Sequence, residues 1–180
     1  SHAYELMKVD DPKKRKRLPT ILPLSFPVMV KQRAQGSGIG IDEGAVVHDD
    51  AALVARVHWL FAQVPEPMMI EEFIPYGELT VCLIGNKPPT AYPAIQRPID
   101  PTSRLSCHVV KSVPAQWHTP LELTDALDTE ARRIAQTMVA TIGCRDVARV
   151  DLRVDESGQI FFLEINPLPS FDPEGSFGLL

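Results

Sequence analysis

The chain has 180 residues, 44% of them hydrophobic and 23% charged, a composition typical of globular proteins that argues against disorder and fibrous structure. Its formal net charge of -5 at pH 7 gives no electrostatic reason to expect nucleic acid or an anionic membrane as a partner. The three widely spaced cysteines match neither a disulfide framework nor a zinc motif, and no apolar run approaches the ~20 residues of a membrane span, so we expect a cytoplasmic protein.

The first third of the chain predicts an arm, a strand, a glycine-rich loop and a helix. Residues 1–25 are basic and interrupted by prolines, so we expect an arm or linker there. The apolar, β-branched segment 27–32 predicts a strand that places Lys31 near its end. The glycine-rich segment 35–41 that follows predicts a mobile turn whose backbone can approach a ligand closely. A helical period then begins at Asp49, where two aspartates are suited to cap it, and stops before Pro65.

The remaining two thirds alternate short strands with one long helix. Strands are predicted at 67–73, 78–85, 90–96 and 107–113, followed near the end of the chain by a hairpin of strands at 146–154 and 159–165. Apolar residues at helical spacing predict a helix over 124–142, which Gly143 is placed to end. The whole pattern predicts an α+β fold with two groups of strands, each accompanied by one helix.

The last hairpin separates charged from apolar side chains because successive residues of a strand point to opposite faces. The predicted charged face carries Arg149, Asp151 and Arg153 on the first strand, and Phe162, Glu164 and Asn166 on the second. The predicted apolar face of the second strand carries Phe161, Leu163 and Ile165.

The turn of this hairpin decides which residues lie opposite each other. A two-residue turn at Ser157 and Gly158 would place Glu156 opposite Gln159, and would then pair Asp151 with Glu164 and Arg149 with Asn166. A four-residue loop from Asp155 would change the partners but would leave every side chain on the same face.

Two carboxylates at cross-strand distance repel each other unless a cation lies between them. Together with the amide of Asn166, Asp151 and Glu164 offer hard oxygen ligands that suit Mg²⁺ or Mn²⁺ better than zinc. The alternative is a solvated sheet face on which Arg149 and Arg153 neutralise the acids.

Lys31 and the loop after it are the residues best suited to bind phosphate, by a positive charge and by backbone amides. The loop is not a Walker motif, because no Gly-Lys-Ser/Thr closes it, and it is not a dinucleotide fingerprint, because no helical pattern follows directly. A surface hairpin would explain the same residues.

Five segments, in order along the chain, resemble the motifs of the ATP-grasp superfamily, and within it those of D-alanine–D-alanine ligases and their relatives. They are FPVMVKQ, QGSGIGI, MMIEEFIPYGELTV, ARVDLRV and FFLEINPLPS, and the resemblance covers about residues 24 to 180. It implies a small lobe at 26–74 and a larger lobe at 75–180, which hold ATP between their sheets. It also implies a preceding N-terminal domain and helices after Leu180, so we expect a chain that lacks the former and is truncated before the latter.

The resemblance assigns roles to individual residues. Those matched to ATP-binding positions are Lys31, Gly36, Ser37 and Gly38 at the phosphates, Glu71, Glu72, Phe73 and Ile74 along the adenine, Glu78 at the ribose and Lys111 at a further phosphate. The matched metal ligands are Asp151, Glu164 and Asn166, and Arg149 matches a catalytic arginine that stabilises the tetrahedral intermediate. Ser170 and Ser176 lie at the substrate end, and Ser176 is one residue out of register with the family's serine.

The activity that the resemblance implies is an ATP- and Mg²⁺-dependent carboxylate–amine ligase that forms an amide through an acylphosphate. Its partners would be small-molecule carboxylate and amine substrates, amino acids above all, and a homodimer is kept as an alternative state. Ser112, the Ser37-Gly38 pair and Ser170 depart from the family pattern near the substrate end, which weakens the expectation of D-alanine but leaves the ATP end intact. The alternatives are a non-catalytic ATP-binding module, and another ATP-grasp activity such as a carboxylase or a peptide-tag ligase.

Overall fold

The computed structural model describes residues 3–6, 24–33, 41–106 and 117–180. The chain divides into two compact units, Ser1–Phe73 and Ile74–Leu180. Residues 35–40 of the predicted glycine-rich loop and the predicted strand at 107–113 lie outside the described residues. Within the described ranges, no helix combines the length and the apolar character that crossing a membrane requires.

In its described residues, the first unit is a four-stranded antiparallel sheet with one helix. Its elements in chain order are β1 (Ala3–Leu6), β2 (Val28–Gln32), β3 (Val46–Val47), α1 (Asp50–Gln63) and β4 (Met68–Glu72), and the strand order is β1-β4-β2-β3. The helix starts where the sequence predicts, because the carboxylate of Asp49 accepts a hydrogen bond from the backbone N–H of Ala52 at 2.8 Å. Buried residues of α1, β2, β3 and β4 form the core: Leu53, Val57, Leu60, Val28, Val30, Val47, Met68 and Ile70.

The expectation of an arm or linker over residues 1–25 is wrong for residues 3–6. They form β1, which pairs antiparallel with β4 from Ala3 opposite Glu71 to Leu6 opposite Met68. The physical reason is that β2 covers only one edge of β4, and the backbone groups of the other edge can bind any extended segment that reaches them.

Outside residues 107–116, which are not described, the second unit is a five-stranded antiparallel sheet with one long helix. Its elements are β5 (Gly77–Ile84), β6 (Thr90–Ala91), β7 (Ile95–Gln96), α2 (Asp125–Ile142), β8 (Val147–Val154), β9 (Ile160–Asn166) and a terminal 3-10 helix, Ser176–Leu179. The strand order is β6-β5-β8-β9, and β7 also pairs with β5. The single strand predicted at 90–96 is therefore two short strands on the same edge of β5. Pro93 lies between them, and it has no backbone N–H to donate to a ladder.

Helix α2 covers one face of this sheet. It begins where the hydroxyl of Thr124 accepts from the backbone N–H of Leu127 at 3.2 Å, and it ends at Gly143, whose φ of 79° is the left-handed conformation of a C-cap. Ala131, Ala135 and Val139 are buried against the sheet, together with alternate residues of β5 and β8. Ile142, the last residue of the helix, is 52% exposed.

The hairpin β8–β9 has the predicted register at one end only. Asp151 lies opposite Glu164 and Arg149 opposite Asn166, as predicted, but the register then shifts so that Leu152 lies opposite Phe162. Leu163 is left without a cross-strand partner, which is the arrangement of a β-bulge.

The predicted two-residue turn and the four-residue loop are both wrong. The backbone N–H of Asp155 donates to the carbonyl of Gln159 at 3.1 Å, which makes a loop of three residues, 156–158. The bulge also changes which side chains face the core. Phe162 packs against the core, while Leu163 is 40% exposed. The predicted placement of Phe162 with Glu164 was therefore wrong, because one extra residue reverses the alternation on its far side.

Candidate functional site

The face of the second sheet opposite α2 is polar, and cross-strand pairing orders its side chains. Leu79, Val81 and Leu83 of β5 point into the core, so the intervening residues point to the other face. We call this face the polar ladder; its three pairs across β5 and β8 are Glu78 with Arg153, Thr80 with Asp151, and Cys82 with Arg149.

The polar ladder is not a solvated surface. Asp151 is 6% exposed, Arg153 4% and Thr80 0%. The alternative of a solvated sheet face is therefore wrong for these residues. That alternative also expected an arginine to neutralise Asp151, and this part is confirmed by the ion pair with Arg149. Burial makes each charge depend on its immediate partners.

Among the described residues, the side chains of Thr80 and Arg149 donate hydrogen bonds to Asp151. The hydroxyl of Thr80 donates to Oδ1 at 2.8 Å. Arg149 donates through Nε to both carboxylate oxygens at 3.1 Å and through Nη2 to Oδ2 at 2.7 Å. Burial disfavours the guanidinium charge, but the Asp151 and Glu164 carboxylates outweigh it and raise the pKa of Arg149 above its ordinary value.

Glu164 and Asn166 extend the same end of the hairpin on β9. The Glu164 side chain is 64% exposed, and its Oε1 lies 3.9 Å from Arg149 Nη2. Asn166 Oδ1 accepts from the backbone N–H of Leu168 at 3.0 Å. The structure thus brings Asp151, Glu164, Asn166 and Arg149 together through the pairings that the sequence predicts.

These side chains suit a hard divalent cation. Two carboxylates and an amide provide only oxygen donors, which Mg²⁺ prefers, and three protein donors leave positions for other ligands. In the part of the chain that the structure describes, no group of three or more His, Cys, Asp and Glu side chains could hold a metal ion. The oxygen donors of Asp151, Glu164 and Asn166 fit a magnesium ion that shares its coordination with a substrate, and fit zinc poorly.

Glu78 lies in a second buried group at the other end of the polar ladder. Its Oε2 is 3.0 Å from Arg153 Nη2, and its Oε1 accepts from the Ser106 hydroxyl at 2.7 Å and is 3.6 Å from Arg97 Nε. Arg97 Nη1 in turn donates to the hydroxyl of Ser176 at 3.4 Å. The predicted ribose acid and one predicted substrate serine therefore belong to a single buried network.

Ser170, the other predicted substrate residue, is exposed, and its hydroxyl accepts from the backbone N–H of Asp172 at 3.1 Å. Whereas Ser176 is 4% exposed, Ser170 is accessible to solvent. The two serines predicted for the substrate end thus have different surroundings.

In the first unit, Lys31 lies near the end of β2, as predicted, and pairs with Glu71 of β4, with Nζ 2.5 Å from Oε1. Glu72 is the last residue of β4. The backbone N–H of Phe73 donates to the carbonyl of Pro27 at 2.9 Å.

In the second unit, the carbonyl of Ile74 accepts from Arg153 Nη1 at 3.2 Å. Four further predicted residues lie outside the described ranges: Gly36, Ser37, Gly38 and Lys111.

Sequence reasoning missed three residues of these groups: Thr80, Arg97 and Ser106. Thr80 had a usable signal, because it is a polar residue two positions after Glu78 in a strand whose alternate residues are apolar. Arg97 and Ser106 had none. Within the described residues, the regular structure of that segment consists of short pairings: β7, and bridges of Ile99 with Ser106 and with His118.

Comparison with solved structures defines the fold class. The chain superposes on a crystal structure of D-alanine–D-alanine ligase from Bacillus anthracis complexed with ATP, with a TM-score of 0.70 at 19% sequence identity, over 99% of this chain and 52% of that chain. The likeness shows the fold, which is the α+β ATP-grasp fold predicted from the sequence.

Sequence comparison defines the family. A family model described as "D-ala D-ala ligase C-terminus" matches residues 3–178. The chain belongs to this family. It is 32% identical over 176 residues to a D-alanine–D-alanine ligase of Chlorobium luteolum, covering 96% of this chain and 46% of the relative. It is 31% identical over 160 residues to an uncharacterized protein, y4sG, of Sinorhizobium fredii, covering 87% of this chain and 47% of the relative. The chain thus spans about half the length of these curated relatives.

Proposed function

We propose that this chain carries the nucleotide and metal site of an ATP- and Mg²⁺-dependent carboxylate–amine ligase. The observation that carries the proposal is the cluster of Asp151, Glu164, Asn166 and Arg149 at one end of the β8–β9 hairpin, in a chain that belongs to the D-alanine–D-alanine ligase family. A solved structure of that fold is described as complexed with ATP, which supports ATP as the nucleotide.

The metal residues would be Asp151, Glu164 and Asn166, which offer only oxygen donors. When bound there, Mg²⁺ would neutralise phosphate charge during phosphoryl transfer. Arg149 would stabilise negative charge that develops on the reacting carbonyl as the amine attacks the acylphosphate. Its guanidinium is suited to this task, because its raised pKa keeps the positive charge in a partly buried position.

The nucleotide residues would be those that the family resemblance assigns. Lys31, together with Gly36, Ser37, Gly38 and Lys111, would bind the phosphates. Glu71, Glu72, Phe73 and Ile74 would lie along the adenine, and Glu78 would face the ribose. The ion pair between Lys31 and Glu71 supports a role of both residues in nucleotide binding, since it holds the two side chains next to each other.

The substrates would be a small carboxylate and an amine, both amino acids in the simplest case. The relatives named D-alanine–D-alanine ligase make a dipeptide the first product to test, with Ser170 and Ser176 at the substrate end. Ser170 is accessible, whereas Ser176 already contacts Arg97, so Ser170 is the better candidate for direct contact. A cytoplasmic location also belongs to the proposal, supported by the free thiols of Cys82 and Cys144.

A non-catalytic ATP-binding module is the second candidate. The observation that favours it is the departure of Ser112 and Ser170 from the family pattern near the substrate end. It would bind Mg²⁺–ATP without releasing phosphate, so binding and turnover must be measured separately.

Calorimetric titration with Mg²⁺–ATP tests the site, with Glu164→Gln as the variant. We expect the wild type to bind and Glu164→Gln to bind at least about tenfold more weakly, because a charged ligand becomes neutral. Glu156→Gln, a charge-neutralising change in the exposed hairpin loop, is the matched control and should bind as the wild type does. Failure of the wild type to bind ATP would refute the proposal.

Phosphate release in the presence of an amino-acid panel, measured on the full-length protein, separates the two candidates. Release that depends on both an acid and an amine supports the ligase. Nucleotide binding without release under every pair supports the module.

A further inference from the structure

Thr80 occupies the central pair of the polar ladder, and it is completely buried. Its strand, β5, is bordered by β8 on one side and by β6 and β7 on the other, so the position is fixed by pairing on both edges. Valine has nearly the same shape and would fill such a site without a polar group to satisfy. The distinctive contribution of threonine here is its hydroxyl, which donates to Asp151 Oδ1 at 2.8 Å.

The two donors to Asp151 differ in freedom of movement. Thr80 has a short β-branched side chain with one rotatable bond to its oxygen, and none of its surface is exposed. Arg149 has a long side chain that is 19% exposed. Thr80 therefore behaves as a fixed partner of the carboxylate, and Arg149 as a partner that can change position.

The hydrogen bonds of Asp151 leave little room for another ligand unless Arg149 moves. Oδ1 accepts from Thr80 and from Arg149 Nε, and Oδ2 accepts from both Nε and Nη2 of Arg149. A carboxylate oxygen offers about two acceptor sites. Withdrawal of Arg149 would leave the contact from Thr80 to Oδ1 in place and would release Oδ2.

We propose that Thr80 is a positioning residue of the metal site: it holds Asp151 by Oδ1, so that Oδ2 is presented to the metal ion when Arg149 withdraws. This inference rests on the proposed function, because it takes Asp151 to be a metal ligand. Outer partners that orient a ligating carboxylate commonly change metal affinity by about 10- to 100-fold when they are removed.

Mn²⁺ binding tests the inference. The full chain, with a non-hydrolysable ATP analogue present, is titrated with Mn²⁺, and free Mn²⁺ is followed by its paramagnetic resonance signal. We expect Thr80→Val to raise the apparent Kd for Mn²⁺ about tenfold and Thr80→Ser, which keeps the hydroxyl, to stay within about twofold of the wild type. Thr141→Val is the matched control, because Thr141 also donates from its hydroxyl, at 2.8 Å to the carbonyl of Thr137, but on the exposed side of α2.

The outcomes separate the inference from the proposed function. If the wild type binds Mn²⁺ with the nucleotide analogue and Thr80→Val binds it equally well, the inference is overturned and the proposed function stands. Equal weakening in Thr80→Ser and Thr80→Val also overturns it, since the hydroxyl would then not be the cause. If the wild type binds neither Mn²⁺ nor the analogue, the proposed function itself fails. Thermal unfolding monitors folding of each variant, and Thr80→Ala replaces Thr80→Val if the latter does not fold.

Discussion

Arg149 and Asp151 lie two residues apart on β8 and form an ion pair with three contacts, in which Nη2 is 2.7 Å from Oδ2 and Nε is 3.1 Å from both carboxylate oxygens. Side chains at this spacing project from the same face of a strand. Because Asp151 is 6% exposed, its negative charge requires a cation close by. In the structure Arg149 provides that cation, at the position where we propose that a metal ion binds.

Replacement of Arg149 by methionine should destabilise the protein in the absence of divalent metal. The change leaves Asp151 with Thr80 as its remaining hydrogen-bond donor among those described here, and loss of a charged hydrogen-bond partner costs about 2 kcal/mol. Addition of Mg²⁺ should recover part of this loss in Arg149→Met. Urea unfolding with and without MgCl₂ measures both effects.

Arg145→Met is the control for that experiment, because Arg145 is an exposed residue just before the same strand. Its stability should stay near that of the wild type and should not depend on Mg²⁺. If Arg149→Met is no less stable than Arg145→Met, Asp151 does not depend on Arg149 for its charge compensation.

The Glu78–Arg153 pair should show strong energetic coupling. Their side chains are 10% and 5% exposed and lie 3.0 Å apart, so removal of one partner takes an opposite charge away from a buried group, at a cost of about 3 kcal/mol. We expect Glu78→Gln and Arg153→Met each to lower the free energy of unfolding, and the double variant to lose less than the sum. Urea unfolding of the four proteins in a double-mutant cycle should give a coupling energy above about 1 kcal/mol.

The exposed pair Glu130 and Arg133 on α2, at 2.6 Å, provides a matched cycle with the same substitutions. Solvent screens this pair, so its coupling should be negligible. Equal coupling in the two cycles would show that burial does not strengthen the Glu78–Arg153 interaction.

The sequence predicted that Asp151, Glu164 and Asn166 share one face of the hairpin, because strand alternation alone determines that face. Asp151, Glu164 and Asn166 follow the two-residue period of a strand, and their pairing survives in the structure. Helix ends were predictable for a similar reason, since capping by Asp49 and Thr124 and termination at Gly143 are local interactions.

The bulge and the Glu78 network were not predictable, because each depends on contacts that no local pattern encodes. The bulge at Leu163 compensates for a loop one residue longer than the predicted turn. Strict alternation of side chains along a strand does not predict an unpaired residue. Arg97 reaches Glu78 from a segment that lacks a sustained period. The strand at residues 3–6 was missed because its partner, β4, is more than sixty residues away in sequence.

Cys82 should be the less reactive of the two described cysteines, and it should make stability fall at high pH. Burial raises the pKa of its thiol from 9.0 to about 12. At mildly alkaline pH, iodoacetamide should therefore modify Cys144, which is partly exposed, faster than Cys82. Mass spectrometry of a Cys107→Ser background after timed labelling measures the two rates, and faster labelling of Cys82 would contradict its burial as a neutral thiol.

The same pKa shift sets the sign of the pH dependence. Between pH 9 and about 12 the folded thiol keeps its proton while the unfolded thiol loses it, so the folded state binds more protons and stability decreases as pH rises. The expected slope is at most about 1.4 kcal/mol per pH unit. Urea unfolding at several alkaline pH values should show a shallower slope for Cys82→Ala than for the wild type, whereas Cys144→Ala should keep the wild-type slope.

We expect glycine to be required at position 158 because of the backbone conformation of the β8–β9 loop, and not because a larger side chain would clash there. Its φ is 84°, and a Cβ built there would meet no atom within 4 Å, so a substitution suffers strain without a clash. Gly158→Ala should lower the free energy of unfolding by about 1 kcal/mol, the cost of left-handed backbone for an ordinary residue. Gly158→Asn should lose less, because asparagine tolerates that conformation better. Urea unfolding of both variants tests this order. Equal losses would show that the alanine effect has another cause than the sign of φ.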